Sequence, residues 1–489
     1  MYRREGGIGQ STENYAPSKL LCFSIFYILS EDVKEAESQV FWKTVMAIVI
    51  KPDCIVTGNT QGSILSNHSI LVKENRIQNI VPNREVQPDP ATEVVHARGL
   101  IAIPGFVQTH IHLCQTLFRG MADDLELLDW LKKKIFPFEA AHNSDSMYYS
   151  SMLGVAELIR CGTTTILDMG SVNHEEAVIR AIGETGLRAF VGKAMMDIND
   201  AYPRLKETTG ESLKSTRELA ERWHNSYDGR LKYAVAPRFV LSCTDALLKE
   251  AGEMSASFDG MLFHTHASEN KSEIQAVRKR CNMENIEFLD SLNVLSGKSC
   301  LAHCIHLNQN EMEILRRTGA NVVHCPSSNL KLGSGLANVE HLLKNGINVT
   351  IGADGAPCNN NLNVFQEMRL TSLLQKPMHG ARAMPAKAVF EMATMRGAKA
   401  LGLDREIGSI EAGKKADIVL LDVGQLWNPV LVEEDVYSSI VYSCGPENVD
   451  SVMVDGKWVY RNKEYTGIDK HAIVHRARKE MKQLLERMS

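Results

Sequence analysis

Short apolar runs rich in β-branched residues alternate with polar turn residues near both ends of the chain. After Met46 such runs cover residues 54–57, 69–72 and 77–81, and Gly or Asn residues separate them. This alternation predicts a small antiparallel module over residues 46–103. Comparable runs recur over residues 405–465, so the two ends of the chain share one pattern.

The middle of the chain, residues 104–404, alternates β-rich runs with helical patterns. That alternation predicts an α/β fold built as a parallel barrel. One helix is predicted over residues 145–160, with Ser144 as its N-cap and Gly162 just past its end. The last segment, residues 466–489, combines many charged residues with periodic apolar positions, and predicts a solvated C-terminal helix.

Composition narrows the possible functions. The chain has 489 residues, a formal net charge of -5 and no basic patch, which argues against nucleic acid and anionic membrane surfaces as partners. Eleven scattered cysteines indicate a reduced, cytoplasmic protein rather than a disulfide framework. Residues 20–29 are too short an apolar run to span a bilayer, which takes about 20 residues. We expect residues 1–45 to be an extension outside the fold.

Four short segments carry the densest chemistry. Each follows or ends an apolar, strand-like stretch, and the C-terminal ends of parallel barrel strands are where such folds place their active sites. Residues i and i+2 of a strand share a face, so His110 and His112 can bind one ion together. The four segments in chain order are His110-Ile111-His112, His266-Ala267-Ser268-Glu269, Leu301-Ala302-His303-Cys304 and Gly352-Ala353-Asp354-Gly355.

The order His-x-His, His, His, Asp on a predicted barrel resembles the amidohydrolase superfamily. Some of the surrounding motifs are similar to S-adenosylhomocysteine/5′-methylthioadenosine and 5′-deoxyadenosine deaminases, and a central stretch is similar to guanine deaminase. The adenosine-type motifs are Leu117-Phe118-Arg119-Gly120, Ser328-Asn329-Leu330-Lys331 and Asn360-Asn361-Leu362-Asn363. The guanine-type motifs are Phe190-Val191-Gly192-Lys193 and Pro237-Arg238-Phe239.

The resemblance implies a (β/α)8 TIM-type barrel, with the two terminal regions packed as one small β-sandwich. It implies four metal ligands, namely His110, His112, His266 and Asp354. Such ligands suit zinc, while iron binds similar sites and stays possible. Where binuclear relatives carry a bridging lysine, this chain has Arg238, so we expect one divalent metal. Glu269 is then the catalytic proton shuttle, and His303 acts beside Asp354 as a further catalytic group.

The substrate contacts implied by the resemblance are divided between the two groups of relatives. Glu139 matches a carboxylate that can accept both ribose hydroxyls in adenosine-type enzymes, but guanine deaminases carry a similar Glu, so this residue alone does not decide. Arg238 fits the guanine type, in which an arginine faces the purine oxygen. Gln115 also fits the guanine type, although related deaminases carry Gln there too. Trp130 belongs to an adenosine-type motif. Lys193 or Arg204 could hold an amino-acid carboxylate, or both could be ordinary surface cations.

The sequence therefore favours a metal-dependent hydrolytic deaminase of a purine-type ring. The preferred substrates are adenosine-type nucleosides modified at the 5′ position, namely 5′-deoxyadenosine, 5′-methylthioadenosine or S-adenosylhomocysteine. Guanine deaminase is the main alternative, followed by another aromatic-ring aminohydrolase or chlorohydrolase. A non-catalytic barrel scaffold is a remote alternative, because every expected ligand and Glu269 are present. The expected partner is a small purine molecule, and a homo-oligomer is possible.

Overall fold

The computed structural model describes residues 47–425 and 436–488. The extension expected at residues 1–45 lies outside these described residues. Two sheets and their flanking helices make up the described part of the chain. Within it, no helix combines the length and the hydropathy that a bilayer span requires.

Eight parallel strands form the larger sheet, and we number them barrel strands 1 to 8 in chain order. Strand 3 continues after a break as Ala194–Met195, and strand 8 consists of two short pieces on either side of Gly352 and Ala353. Barrel strands 1 to 8 are Phe106–His112, Thr163–Met169, Arg188–Gly192, Leu231–Pro237, Leu262–Ala267, Ser299–His303, Asn321–His324, and Val349–Ile351 with Asp354–Gly355.

Hydrogen bonds connect the last of these strands back to the first. Val349–Ile351 pairs with barrel strand 7, whereas Asp354–Gly355 pairs in parallel with barrel strand 1. The sheet therefore curls back on itself, as a TIM-type (β/α)8 barrel requires. Seven of the eight strands contribute to one cluster of buried side chains: Val107, Leu167, Phe190, Ala234, Leu262, Cys300 and Val323.

Helices follow most barrel strands and cover the outer face of the sheet. The predicted helix over residues 145–160 is Ser144–Arg160, but Asn143 caps it, because its side chain accepts from the Ser146 backbone N–H. Ser144 is therefore already the first helical residue. The other main helices are Glu175–Thr185, Thr209–Trp223, Asp245–Ser257, Lys271–Cys281, Asn285–Ser291, Gln309–Thr318, Val339–Lys344, Val364–His379, Ala386–Met392 and Met395–Ala400.

Several shorter helical segments lie between these elements. The short α-helices are Leu127–Trp130, Phe136–Ala140, Pro326–Lys331, Ala356–Asn359 and Val436–Ser438. The π-helical turns are Leu131–Ile135 and Ser439–Ser443. The 3-10 turns are Asn83–Glu85, Leu113–Phe118, Pro203–Leu205, Val240–Ser242 and Pro446–Asn448.

The smaller sheet contains strands from both ends of the described chain, as the shared pattern indicates. Ala47–Val56 pairs antiparallel with His68–Lys73, which pairs antiparallel with Arg76–Pro82, so the predicted antiparallel pairing of these runs is confirmed. Ala47–Val56 also pairs with Glu93–Pro104, but in parallel. The strands form one hydrogen-bonded sheet, and a separate second layer is not confirmed. Its nine strands are Ala47–Val56, Ile64–Ser66, His68–Lys73, Arg76–Pro82, Glu93–Pro104, Ile418–Asp422, Val449–Val454, Lys457–Arg461 and Glu464–Tyr465.

The C-terminal helix, Lys470–Met488, is less solvated than its charged sequence predicts. Ala477 and Leu484 are buried in a cluster with Phe118 and Phe138. Arg487 also donates to the Ala141 carbonyl oxygen at 2.7 Å. This helix therefore packs on the segments that follow barrel strand 1.

Candidate active site

The sequence-predicted metal ligands and catalytic residues meet at the C-terminal ends of the barrel strands. His110 and His112 end barrel strand 1, and His266 lies one residue before the end of strand 5. His303 ends strand 6, and Asp354 begins the second piece of strand 8. Parallel strands bring these positions to the same end of the barrel, although they are far apart in sequence.

The ligand atoms of His110, His112 and Asp354 all lie within 4.8 Å of one another, and those of His110, His266 and His303 form a second such group. His112 Nε2 is 3.2 Å from His266 Nε2. The Nε2 atoms of His110 and His112 are each 3.4 Å from Asp354 Oδ1. These distances place three imidazoles and one carboxylate around one point, as a mononuclear metal site requires.

The outer nitrogens of the rings show that this cluster fits a cation. His112 Nδ1 donates to the Met169 carbonyl oxygen at 2.7 Å, and His266 Nδ1 donates to the Arg238 carbonyl oxygen at 2.7 Å. In the neutral rings both Nε2 atoms then present lone pairs to each other. His110 Nε2 is buried without a hydrogen-bond partner among the described residues. Lone pairs and a carboxylate facing one another are repulsive unless a cation lies between them.

His264, the competing candidate for the strand 5 ligand, lies behind the cluster. Its Nε2 atom is 2.8 Å from His110 Nδ1, on the side of the ring away from Asp354. His264 therefore orients His110, and His266 supplies the strand 5 nitrogen of the cluster.

Burial sets the protonation of the candidate ligands. It lowers the pKa of His112 to about 3, and it also lowers the pKa values of His110 and His266. Burial alone would raise the pKa of Asp354, but the surrounding histidines, His110 foremost, hold it well below its usual range. Neutral imidazoles and an ionised carboxylate are the forms that bind metals.

Glu269 and His303 form a second pair beside the candidate ligands. Burial, with a smaller effect of Asp354, raises the pKa of Glu269 to about 7. Burial opposes protonation of His303, yet the charges of Glu269 and Asp354 raise its pKa. His303 Nε2 is 3.5 Å from Glu269 Oε2. A carboxyl group with a pKa near neutrality beside a histidine can accept and return a proton.

A small cavity opens beside these residues. Arg238 and Glu273 also line it. The rest of its lining forms an apolar wall, and a mostly apolar lining with a few polar groups is typical of small-molecule sites. This wall consists of Leu127, Trp130, Leu131, Phe239 and Leu332.

The structure joins Glu139 and Arg238, two of the predicted substrate contacts, in one buried ion pair. Arg238 Nη1 lies 3.0 Å from Glu139 Oε2, and Nη2 lies 3.2 Å from Oε1. Gln115 Nε2 donates to Glu139 Oε1 at 2.9 Å. The side chains of Glu139 and Arg238 are 0% and 3% exposed, so the ion pair is shielded from solvent.

Lys193 and Arg204 lie apart from this cavity. Lys193 is buried and pairs with Glu207, while Arg204 is exposed on a 3-10 turn. Neither is among the described residues that line the cavity beside the histidine cluster. Their predicted contact with an amino-acid carboxylate stays a prediction without geometric support.

Some functional neighbours were not singled out as site residues from the sequence. Ser328 Oγ donates to Asp354 Oδ2 at 2.6 Å, and His303 Nδ1 donates to Asn329 Oδ1 at 2.8 Å. Both residues belong to the motif Ser328-Asn329-Leu330-Lys331, which in the sequence indicates only the family resemblance. Glu273 accepts from the Glu269 backbone N–H at 2.8 Å. In the sequence, the signal that could have indicated Glu273 is its position four residues after Glu269.

Comparison with known proteins agrees with this geometry. The chain is 34% identical over 444 residues to a 5-methylthioadenosine/S-adenosylhomocysteine deaminase of Thermoanaerobacter pseudethanolicus, covering 90% of this chain and 100% of the relative. It is 39% identical over 411 residues to a 5′-deoxyadenosine deaminase of Methanothermobacter thermautotrophicus, covering 84% of this chain and 93% of the relative.

A solved structure of an adenosine deaminase from Xanthomonas campestris with bound zinc superimposes with a TM-score of 0.83. It is 29% identical, and the match covers 90% of this chain and 99% of that chain. Residues 101–459 also match the model of the amidohydrolase family, which is most of the chain. The chain therefore belongs to the amidohydrolase family.

Proposed function

We propose that this chain is a metal-dependent hydrolytic deaminase of purine-type rings, acting on adenosine-type nucleosides modified at the 5′ position. One observation carries the proposal. Glu269 and His303, which can transfer a proton, lie beside the cluster of candidate metal ligands, and both line the same largely apolar cavity. The names of the relatives support 5′-deoxyadenosine, 5′-methylthioadenosine and S-adenosylhomocysteine as the substrates to test first.

In this proposal His110, His112, His266 and Asp354 hold one divalent metal, zinc first and iron second. Lone pairs on His112 Nε2 and His266 Nε2 and the unpartnered His110 Nε2 support this ligand set. When bound, such a metal acts as a Lewis acid and makes water a competent nucleophile near neutral pH. The absence of a lysine at the end of barrel strand 4 supports a single ion.

Glu269 takes a proton from the attacking water and gives it to a ring nitrogen, which makes the ring carbon a better electrophile. Its pKa of about 7 suits both steps, because neither protonation state is strongly favoured at neutral pH. His303 already donates through Nδ1 to Asn329 Oδ1, so its Nε2 carries a proton only in the imidazolium form. The raised pKa favours that form, which can donate to the oxygen of the tetrahedral intermediate. Glu269 then carries the proton of the added hydroxyl to the amino group, so that the C–N bond breaks, ammonia leaves and the ring carbon keeps a carbonyl oxygen.

Trp130 and the apolar wall would hold the purine ring, while Arg238 donates from the polar side of the cavity. Glu139 would hold a ribose diol, and Gln115 supports that carboxylate. Because Glu139 is already paired with Arg238, a diol would have to share its oxygens with the guanidinium. Guanine deaminase is the second candidate, since Arg238 lines the cavity where it could face a purine oxygen.

We further propose the domain limits given above, with the terminal sheet curled into a β-sandwich around its own apolar cluster. That cluster includes Ile50, Ile70, Ala102, Ile418 and Met453, which come from strands of both terminal regions. A cytoplasmic location and a possible homo-oligomer complete the proposal, with no role for nucleic acid or membranes.

The test is ammonia release by the metal-loaded protein from adenosine, its three 5′ derivatives and guanine, with Glu269→Gln as the matched control. We expect turnover of the 5′-modified adenosines, which the variant loses. Guanine turnover without turnover of any adenosine derivative would support the second candidate instead. No turnover of any purine would contradict the proposal.

A further inference from the structure

Two residues of the candidate site have an unusual backbone conformation. Asp354 has a φ angle of +64° and His303 has a φ angle of +73°, both in the left-handed region. Residues other than glycine rarely adopt this region, because it is energetically unfavourable for them. Such conformations persist only where surrounding contacts hold them in place. The contacts that hold Asp354 and His303 are therefore part of the site.

One short helix, Pro326–Lys331, contacts both residues through consecutive side chains. Ser328 Oγ donates to Asp354 Oδ2 at 2.6 Å. Asn329 Oδ1 accepts from His303 Nδ1 at 2.8 Å. The position of this helix thus sets the orientation of a candidate ligand and of the catalytic histidine together.

Glu367, on the helix Val364–His379, anchors the beginning of that short helix. Its Oε2 atom accepts from the Ser327 backbone N–H at 3.1 Å, and its Oε1 atom accepts from Ser327 Oγ at 2.5 Å. Ser327 is the residue directly before Ser328. Glu367 is 0% exposed, so these hydrogen bonds do not compete with solvent.

A second route leads from the same carboxylate to Asp354. Asn359 Nδ2 donates to Glu367 Oε1 at 3.0 Å and to the Ala353 carbonyl oxygen at 2.7 Å. Ala353 immediately precedes Asp354. One carboxylate therefore holds both the peptide that enters Asp354 and the helix that contacts its side chain.

We infer that Glu367 is a positioning residue, which holds Asp354 and His303 in their left-handed conformations through Ser327 and Asn359. Glu367 is not among the described residues that line the cavity, so it acts on the site through these neighbours. The inference rests on the proposed function for its effect on turnover. Its effect on metal binding is independent of which substrate the protein uses.

The test compares Glu367→Gln with wild-type protein in two assays. Glutamine keeps the shape of the side chain, but its N–H donors face the Ser327 backbone N–H in one orientation, and Ser327 Oγ and the Asn359 amide in the other. In the first assay, metal-free protein is titrated with Zn²⁺ against a competing chelator, and Co²⁺-loaded protein gives a visible spectrum that reports ligand geometry. We expect metal affinity to fall about 10- to 100-fold, with a changed Co²⁺ spectrum. In the second, kcat should fall by a similar factor while KM changes less than about threefold.

Two further variants keep the test decisive. Ser327→Ala removes only one of the anchoring hydrogen bonds, so it should shift both assays in the same direction by a smaller factor. The double variant should lose less than the product of the two single effects, because both act through one contact. Asp417→Asn is the matched control: it neutralises a buried carboxylate that pairs with Arg188, away from the cluster. It should lower the thermal unfolding midpoint but leave metal affinity and kcat unchanged.

Metal affinity, Co²⁺ spectrum and kcat that all stay at wild-type values in Glu367→Gln would overturn the inference. So would an Asp417→Asn variant that loses metal as strongly as Glu367→Gln, because the effect would then be general destabilisation. If wild-type protein turns over no purine and Glu367→Gln still weakens metal binding, the positioning role stands and the proposed function fails.

Discussion

Replacing Glu139 by alanine should be costly, because it leaves a buried guanidinium without a counter-charge. Arg238 makes two 3.2 Å contacts and one 3.0 Å contact to the Glu139 carboxylate, and it is 3% exposed. Breaking a buried ion pair on one side destabilises proteins by about 3–5 kcal/mol. Since about 1.4 kcal/mol corresponds to a factor of ten, the ratio of folded to unfolded protein should fall about 10²- to 10³-fold or more.

Urea unfolding of wild-type and variant protein, loaded with the same metal, measures this cost. Glu406→Ala serves as the control, because Glu406 pairs with Arg76 at 2.9 Å on the surface, where both side chains are more than 40% exposed. An exposed pair contributes about 0–1 kcal/mol. Glu139→Ala combined with Arg238→Met should recover much of the loss, because no buried charge remains. A cost for Glu139→Ala no larger than that for Glu406→Ala would refute the reasoning.

The same ion pair changes what substrate assays on these residues can show. From the sequence, Glu139→Ala should impair a nucleoside more than guanine, and Arg238→Ala should do the reverse. Because each residue positions the other, we now expect either variant to weaken both substrates. A bias between substrates is then interpretable only beside the stability of each variant.

Three further predictions concern the rest of the site and the limits of the fold. Glu269→Gln should keep its metal but lower kcat by at least about a hundredfold, as single-turnover and metal analyses together would show; near-normal turnover would remove Glu269 from the mechanism. Gly352→Ala should weaken both metal binding and thermal stability, because the added Cβ would lie 2.7 Å from the His110 carbonyl oxygen; unchanged Zn²⁺ affinity would contradict this packing. A chain that begins at Met46 should fold and keep ammonia release, and an insoluble product would mean that residues 1–45 pack on the fold.

The elements of the barrel could be predicted because their signals are local. His110 and His112 end a buried strand, and His266 and Asp354 also lie at strand ends, so the parallel architecture alone brings them together. Periodicity also indicates the helix Ser144–Arg160, although Asn143 rather than Ser144 caps it. Both residue types are good caps, so composition could not choose between them.

Contacts between residues that are far apart in the sequence could not be predicted in this way. The ion pair of Glu139 with Arg238 joins residues 99 apart, and nothing local marks either as the partner of the other. Lys193 matched a family position for binding a carboxylate, but burial beside Glu207 gives its charge a different partner. The parallel pairing of Ala47–Val56 with Glu93–Pro104 likewise depends on the whole sheet rather than on the alternation of either strand.

The most direct test of a mononuclear, metal-dependent deaminase is a titration of metal-free protein with Zn²⁺. At each step, ammonia release from 5′-deoxyadenosine is measured together with bound metal. We predict no turnover without metal, and turnover that rises in proportion to bound Zn²⁺ and reaches its maximum at about one equivalent per chain. Full activity in the metal-free protein, or a maximum reached only at two equivalents, would contradict the account.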